Sequence, residues 1–358
     1  MVRLRILHLT LKKEQLTAIS LRQAVLFRMI TTRRAERGAD MENAIIVSGL
    51  KKYFKDVKAV DNISFQVERG ELFGFLGVNG AGKSTTINMM CTLFCPTEGE
   101  IEICGYRVGV QDEEIRKRIG VVWQGNCLDG KMTVKENLYV RGAMYQREKG
   151  GQKRSLRSEA EYVREKLQLQ DIWDRRYEKL SGGQKRRCEI AAAFLNQPEV
   201  LFLDEPTTGL DPATRKMVWE SIDALRKEHH TTVFLTTHYM EEAARADHIA
   251  IMDAGKIKEQ GTPFTLKEKY TKDFVRLVPI EGRQQEFEAQ LLAVCGTDTS
   301  LKQDGGAYVL KVSDSMEALP LLKNVEPFLK GFEVINGTMD DAFLNITGKT
   351  LADAKGGE

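Results

Sequence analysis

Cysteine is scarce in this chain. Six residues among 358 (Cys91, Cys95, Cys104, Cys127, Cys188 and Cys295) form no CxxC pair. That excludes a dense disulfide framework and fits a reducing, intracellular compartment. Cys91 and Cys95 are the one close pair. One turn apart on a helix they would share a face, read either as plain core packing or as half of a metal site with no second ligand pair. Long apolar runs are missing too. No stretch approaches roughly 18 consecutive apolar residues, which excludes a transmembrane helix and means that work at a membrane needs a partner. No uninterrupted apolar segment follows the early positive charges, so no secretory signal peptide is expected in it. Charge of one sign is lacking as well. The 53 Lys and Arg are nearly matched by 51 Asp and Glu, for a net +2. That balance argues against wholesale electrostatic binding of nucleic acid.

What is present is an ordinary globular composition, 42% apolar and 29% charged, at a length suited to two or three domains. The charge is unevenly spread. Residues 1–40 hold nine basic and three acidic residues, so this segment is +6 and the remainder −4. Three readings stay open for it: an upstream extension, with Met41 as the natural start; a basic helix lying on a surface; or an Arg-rich transit peptide. From Ala44-Ile45-Ile46-Val47 onward the pattern is that of a strand.

Two separated segments carry phosphate chemistry. Leu72-Phe73-Gly74-Phe75-Leu76 reads as a strand, followed by Gly77-Val78-Asn79-Gly80-Ala81-Gly82-Lys83-Ser84-Thr85 and a helical stretch. This is G-x-x-x-x-G-K-[ST] in the strand-loop-helix context that it requires. The glycines let backbone N–H groups surround phosphate oxygens, Lys83 reaches the β- and γ-phosphates, and Ser84 suits Mg²⁺. Downstream, Val200-Leu201-Phe202-Leu203 is a continuous apolar run ending in Asp204 and Glu205, as a buried parallel strand would be. Ligands sit at the carboxyl end of such strands. Asp204 is the expected Mg²⁺ ligand and Glu205 the residue that polarises the attacking water. Ser181-Gly182-Gly183, at the start of a helix-forming run, makes a second anion site.

With Leu180-Ser181-Gly182-Gly183-Gln184 the sequence closely resembles the nucleotide-binding subunit of ATP-binding-cassette (ABC) transporters, over about residues 44–265. The resemblance implies an α/β fold: a P-loop NTPase core with a small antiparallel β subdomain and a helical subdomain at about 113–195. It places Tyr53 against adenine. It makes Gly77 to Thr85 the Walker A loop, and Gln124, after Val121-Val122-Trp123, the glutamine that touches Mg²⁺ and faces the membrane partner. It assigns Ser181, Gly182, Gly183 and Gln184 to the signature that caps a second chain's ATP. It makes Glu205 the catalytic base, Asp211 of Gly209-Leu210-Asp211 the D-loop aspartate, and His238 the switch histidine. Implied with it are ATP and Mg²⁺, a separate transmembrane permease, and a second copy of the chain or a paralogous ATPase subunit. A cytoplasmic location, peripheral on the inner face of the plasma membrane, follows.

Of the remaining histidines, His229 and His230 precede a strand and read as surface residues, and His248 has no assigned role. Lys149 to Arg154 reads as an exposed basic loop. Beyond Gly261-Thr262-Pro263 a boundary falls at about 265, and residues 266–358 form a C-terminal α+β accessory domain with a polar tail. Its pattern reads β-α-β-β-α-β, followed by a last helix capped by Thr338-Met339-Asp340-Asp341. That ending resembles the exporter ATPases of the drug-resistance and sodium-export type. The function implied is ATP hydrolysis that energises export of a drug, lipid or ion. The alternative is a soluble ATPase of the same superfamily. The translation type carries two cassettes, and only one phosphate loop exists here. The repair type inserts a long coiled coil, and no sustained heptads appear.

Overall fold

The computed structural model describes residues 42–144, 148–149, 152–153, 155–295, 302–312 and 315–349. The basic segment 1–40 and its three readings lie outside these.

The chain opens with an antiparallel pair, β1 (Asn43–Phe54) and β2 (Val57–Glu68). In β2 Val60, Ile63, Phe65 and Val67 are buried, while Ser64, Gln66 and Glu68 between and after them are exposed. Such alternation marks a sheet with one wet face. β3 (Leu72–Leu76) is buried at every position and runs through the glycine loop into α1 (Lys83–Met90). β4 (Glu98–Ile103) and β5 (Tyr106–Arg107) complete an antiparallel sheet of order β2-β1-β4-β5. A short α2 (Asp112–Arg116) precedes β6 (Ile119–Val122). Helices then dominate: α3 (Val134–Met144), α4 (Leu156–Lys166) and α5 (Gly182–Phe194). Two antiparallel strands of two residues each, β7 (Glu148–Lys149) and β8 (Gln152–Lys153), fall in the segment read as an exposed basic loop.

The central sheet is assembled from β9 (Val200–Asp204), β10 (Thr232–Thr237), β11 (His248–Asp253) and β12 (Lys256–Gly261), together with β3 and β6. Its order is β12-β11-β3-β10-β9-β6, parallel throughout except at the β12 edge. β6 therefore lies inside the segment that reads as helical from about 113. Four residues, three of them Ile or Val, are enough for an edge strand and too few to show a period. The connecting helices are α6 (Pro212–His229) and the short α7 (Met240–Ala243). Between the two sheets Phe65, Phe73, Phe75, Phe202 and Phe234 pack with ring centroids 5.4–5.9 Å apart. That cluster joins the antiparallel layer to the parallel one.

After α8 (Pro263–Tyr270) come β13 (Asp273–Pro279), α9 (Gln284–Cys295), β14 (Lys302–Asp304), β15 (Ala307–Val312), α10 (Ala318–Val325) and β16 (Leu329–Ile335). The sheet is antiparallel in the order β14-β15-β13-β16, a split βαβ arrangement with its own small core around Val275, Leu277, Phe287 and Leu310. The last helix, α11 (Met339–Thr347), does not join that core. Its Met339, Ala342 and Phe343 pack into the larger core with Leu266, Met240 and Ala243. Lys349 pairs with Asp253 at 2.5 Å and fastens the same end to β11. Among the described residues no helix is long and apolar enough to cross a membrane.

Candidate functional site

The site forms where β3, β9 and β10 end. A buried parallel strand releases its carboxyl end at one edge of the sheet, and three such ends converge here. The glycine loop bends sharply into α1. Gly82, the residue before the helix, sits at φ 108°, and a Cβ there would meet the Ala59 carbonyl at 2.4 Å. Only glycine fits both demands. α1 has no acidic residue in its first turn, so its unpaired N–H groups face the loop without competition. Asn79, Gly80 and Ser84 are exposed, Thr85 is half-buried, and Gly77 is buried.

Lys83 lies under the loop, 4% exposed, and donates to the Gly77 carbonyl at 2.7 Å and the Val78 carbonyl at 3.2 Å. Its Nζ is 3.8 Å from Glu205 Oε1. Burial lowers its pKa, while Glu205 and Asp204 act the other way. Asp204 is buried, and its Oδ1 accepts from Thr236 Oγ1 at 2.5 Å. Burial raises its carboxyl pKa, and the Thr236 hydrogen bond opposes the rise.

Glu205 is the hub. Its backbone N–H donates to the Thr236 carbonyl at 3.1 Å, and its φ is +46°. A left-handed non-glycine residue costs about 1–3 kcal/mol and persists only where surroundings hold it. Oε2 accepts from Gln124 Nε2 and from Thr208 Oγ1, each at 3.2 Å. His238 Nδ1 lies 3.3 Å from Oε1. That nitrogen is not aligned for a hydrogen bond, so the pair is a close polar contact. The Glu205 carboxyl is held below the ordinary range, chiefly by His238, with burial acting against it and Lys83 and Thr208 assisting. Lys83, Gln124, Asp204, Glu205 and His238 are thus one constellation, drawn from positions far apart in the chain.

Other expected site residues stand apart from that cluster. Ser181 caps α5 in a reciprocal box: Gln184 N–H donates to Ser181 Oγ at 3.3 Å, and Ser181 N–H donates to Gln184 Oε1 at 3.0 Å. Ser181 and Gly182 are exposed, and a Cβ on Gly183 would strike Thr214 Cγ2 at 2.2 Å. No hydrogen bond or ion pair described for Ser181 to Gln184 reaches Lys83 or Glu205. Asp211 caps α6, accepting from Thr214 N–H at 3.0 Å and Thr214 Oγ1 at 2.6 Å, and these bonds lower its pKa. Tyr53 is half-buried on β1; its Oη donates to Asp61 Oδ1 at 3.0 Å.

Ser84, Asp204 and Gln124 supply a hydroxyl, a carboxylate and an amide oxygen, the hard donors that Mg²⁺ takes alongside nucleotide phosphates. The Gln124 amide nitrogen is engaged by Glu205, which leaves its oxygen as the metal-capable atom. Among the described residues no cluster of three or more His, Cys, Asp and Glu could cage a metal. Cys91 belongs to the core, as the packing reading had it, but Cys95 does not share its face. α1 stops at Met90, so Cys91 is buried at its end while Cys95 is exposed beyond it. His248, without a role from sequence, has Nδ1 2.6 Å from Glu71 Oε1, and His229 is half-buried with its ring against Tyr162. Thr236, Thr208 and Arg186 also shape the site. A lone hydroxyl or a basic run after the signature carries no signal for them in one sequence.

A family model described as ABC transporter matches residues 60–208. The chain is 36% identical over 312 residues to the daunorubicin resistance ATP-binding protein DrrA3 of Streptomyces coeruleorubidus, covering 86% of this chain and 96% of that protein. The chain belongs to the ABC transporter family. It is an ATP-binding subunit of that family and an ATPase. It is also 41% identical over 228 residues to the Nod factor export ATP-binding protein I of Rhizobium sp. (strain N33), covering 63% of this chain and 73% of that one. Among solved structures, the dimeric bacterial ABC transporter cassette MJ0796 matches 61% of this chain and 98% of its own, with a TM-score of 0.55 and 27% identity. The same cassette bound to ADP and Pi matches equally in extent, at 26% identity. The P-loop NTPase fold expected from sequence is the fold found.

Proposed function

We propose that this ABC ATPase hydrolyses ATP as one of a pair of chains and drives export through a separate membrane permease, from the cytoplasmic face of the membrane. The observation that carries this reading is the division of the site. Lys83, Asp204, Glu205, Gln124 and His238 meet at the strand ends, while the signature at the start of α5 stands exposed and outside their contacts. One chain supplies two complementary halves, so two chains placed head to tail complete two sites. The relatives named for resistance and for export support the direction of transport and favour the transporter over the soluble alternative.

In each site the loop from Gly77 to Thr85 cradles the phosphates, with Lys83 exchanging its carbonyl bonds for phosphate oxygens. Tyr53 stacks on the adenine. Ser84, Asp204 and Gln124 hold Mg²⁺, which neutralises charge on the β- and γ-phosphates when bound. Glu205, ionised and held in place by Gln124, Thr208 and His238, orients the attacking water and takes up its proton. Ser181, Gly182, Gly183 and Gln184 of the second chain present a helix N-terminus to the γ-phosphate, and Asp211 lies at the seam between chains. Beside Gln124 a cleft of about 250 Å³, lined by Trp123, Cys127, Arg141 and Asn196, accepts a permease helix. Another cavity, about 350 Å³ around Arg69, Glu199 and Thr232, lies at the opposite strand ends and takes no part.

Glu205→Gln tests the chemistry. The variant is expected to bind ATP as wild type does, to remain paired with it, and to lose turnover by more than about 100-fold. Wild-type turnover in that variant would falsify Glu205 as the base.

A further inference from the structure

One cation lies between the two halves of the site. Arg186 is the fifth residue of α5, four positions from its exposed start, yet it is only 7% exposed. Its guanidinium donates to three backbone carbonyls in two separate segments. Nη1 reaches the Trp123 carbonyl at 2.5 Å, Nη2 the Asp204 carbonyl at 3.1 Å, and Nε the Pro206 carbonyl. Asp204 and Pro206 flank Glu205, the residue held at φ +46°. Trp123 directly precedes Gln124, whose amide holds the Glu205 carboxylate. A planar fork of fixed donors can satisfy several carbonyls at once; a lysine ammonium on its longer, looser stem does not reproduce that fork.

We propose that Arg186 is a positioning residue, which registers the signature helix against the backbone on both sides of Glu205 and before Gln124. A shift of α5, when its N-terminus takes up the ATP of the opposite chain, moves the base and the glutamine of its own chain through this guanidinium. The two ATP sites of the pair are thereby coupled. This rests on the paired-site reading above and adds the route between the sites.

The experiment uses the full chain as wild type, Lys83→Ala, Glu205→Gln, Arg186→Lys and Arg186→Ala, with ATP affinity and steady-state turnover measured for each. Both Arg186 variants are expected to keep their Kd for ATP within about threefold of wild type while kcat falls about 100-fold, the scale of a small misplacement of a reacting group. Low-millimolar guanidinium is expected to restore turnover of Arg186→Ala about tenfold and to leave Glu205→Gln unchanged. If Arg186→Ala does not fold, Arg186→Lys decides alone. The proposal is overturned by Arg186→Lys turning over within about threefold of wild type, or by loss of turnover matched by equal loss of affinity. It is overturned equally by a folded Arg186→Ala that guanidinium does not rescue. A wild type that does not hydrolyse ATP, or a Lys83→Ala as active as wild type, sinks the functional reading and this proposal together. An active wild type, an inactive Lys83→Ala and an unimpaired Arg186→Lys sink only this one.

Discussion

At the scale of single residues, the site is a set of charges that would be unfavourable separately and are compatible together. Burial disfavours the charged form of Lys83 and of Asp204 alike, and each is held by partners within the constellation. Glu205 departs the other way, below its ordinary carboxyl value, with His238 as the largest cause. A carboxyl whose pKa is lowered on folding contributes stability above its unfolded value, and loses it as pH falls through the folded one. His238→Ala removes that cause, so the Glu205 pKa rises. The variant is therefore expected to melt below wild type at neutral pH, with a gap that closes as acid protonates Glu205 in both proteins. Thermal unfolding over a pH series checks this; a gap that widens continuously below pH 4.5 contradicts it. Glu205 and His238 were legible in the sequence because each ends an apolar strand run. Arg186 was not. Its acceptors lie 18, 20 and 63 positions away, and its neighbours Lys185 and Arg187 make it read as part of a solvated basic run.

At the scale of elements, the antiparallel and parallel layers meet over one aromatic cluster, and Phe234 touches four of its rings. Phe234→Ala is expected to cost about 3–5 kcal/mol, because a fully buried ring is removed and the layers on either side relax only in part. Chemical denaturation would show it, and a cost under about 1 kcal/mol would mean that the cluster does not join the layers. The elements nearest the site were the most legible. β3, its loop and α1 are contiguous, and β9 is an unbroken apolar run, so their identity needed only local pattern. β6 was lost inside a helical reading because its partner, β9, lies far along the chain. The place of α11 was equally hidden. Its capping box is visible at Thr338 and Asp341, but nothing in it states that Met339 and Phe343 face Met240 and Leu266 rather than the sheet beside them.

At the scale of the whole molecule, the claim is that hydrolysis belongs to two chains and not to one. Mixing two inactive variants tests it most directly. Lys83→Ala lacks a working phosphate loop but keeps its signature; Ser181→Arg keeps the loop and blocks the signature. Each alone is expected to show no turnover. Mixed in equal amounts, half of the pairs are hybrids, and each hybrid holds one site with an intact loop and an intact signature. The mixture is therefore expected to regain turnover, up to about a quarter of wild-type ATPase activity per chain, with coupling to the dead site setting how far below that it falls. A mixture as inactive as its two components would contradict the paired site.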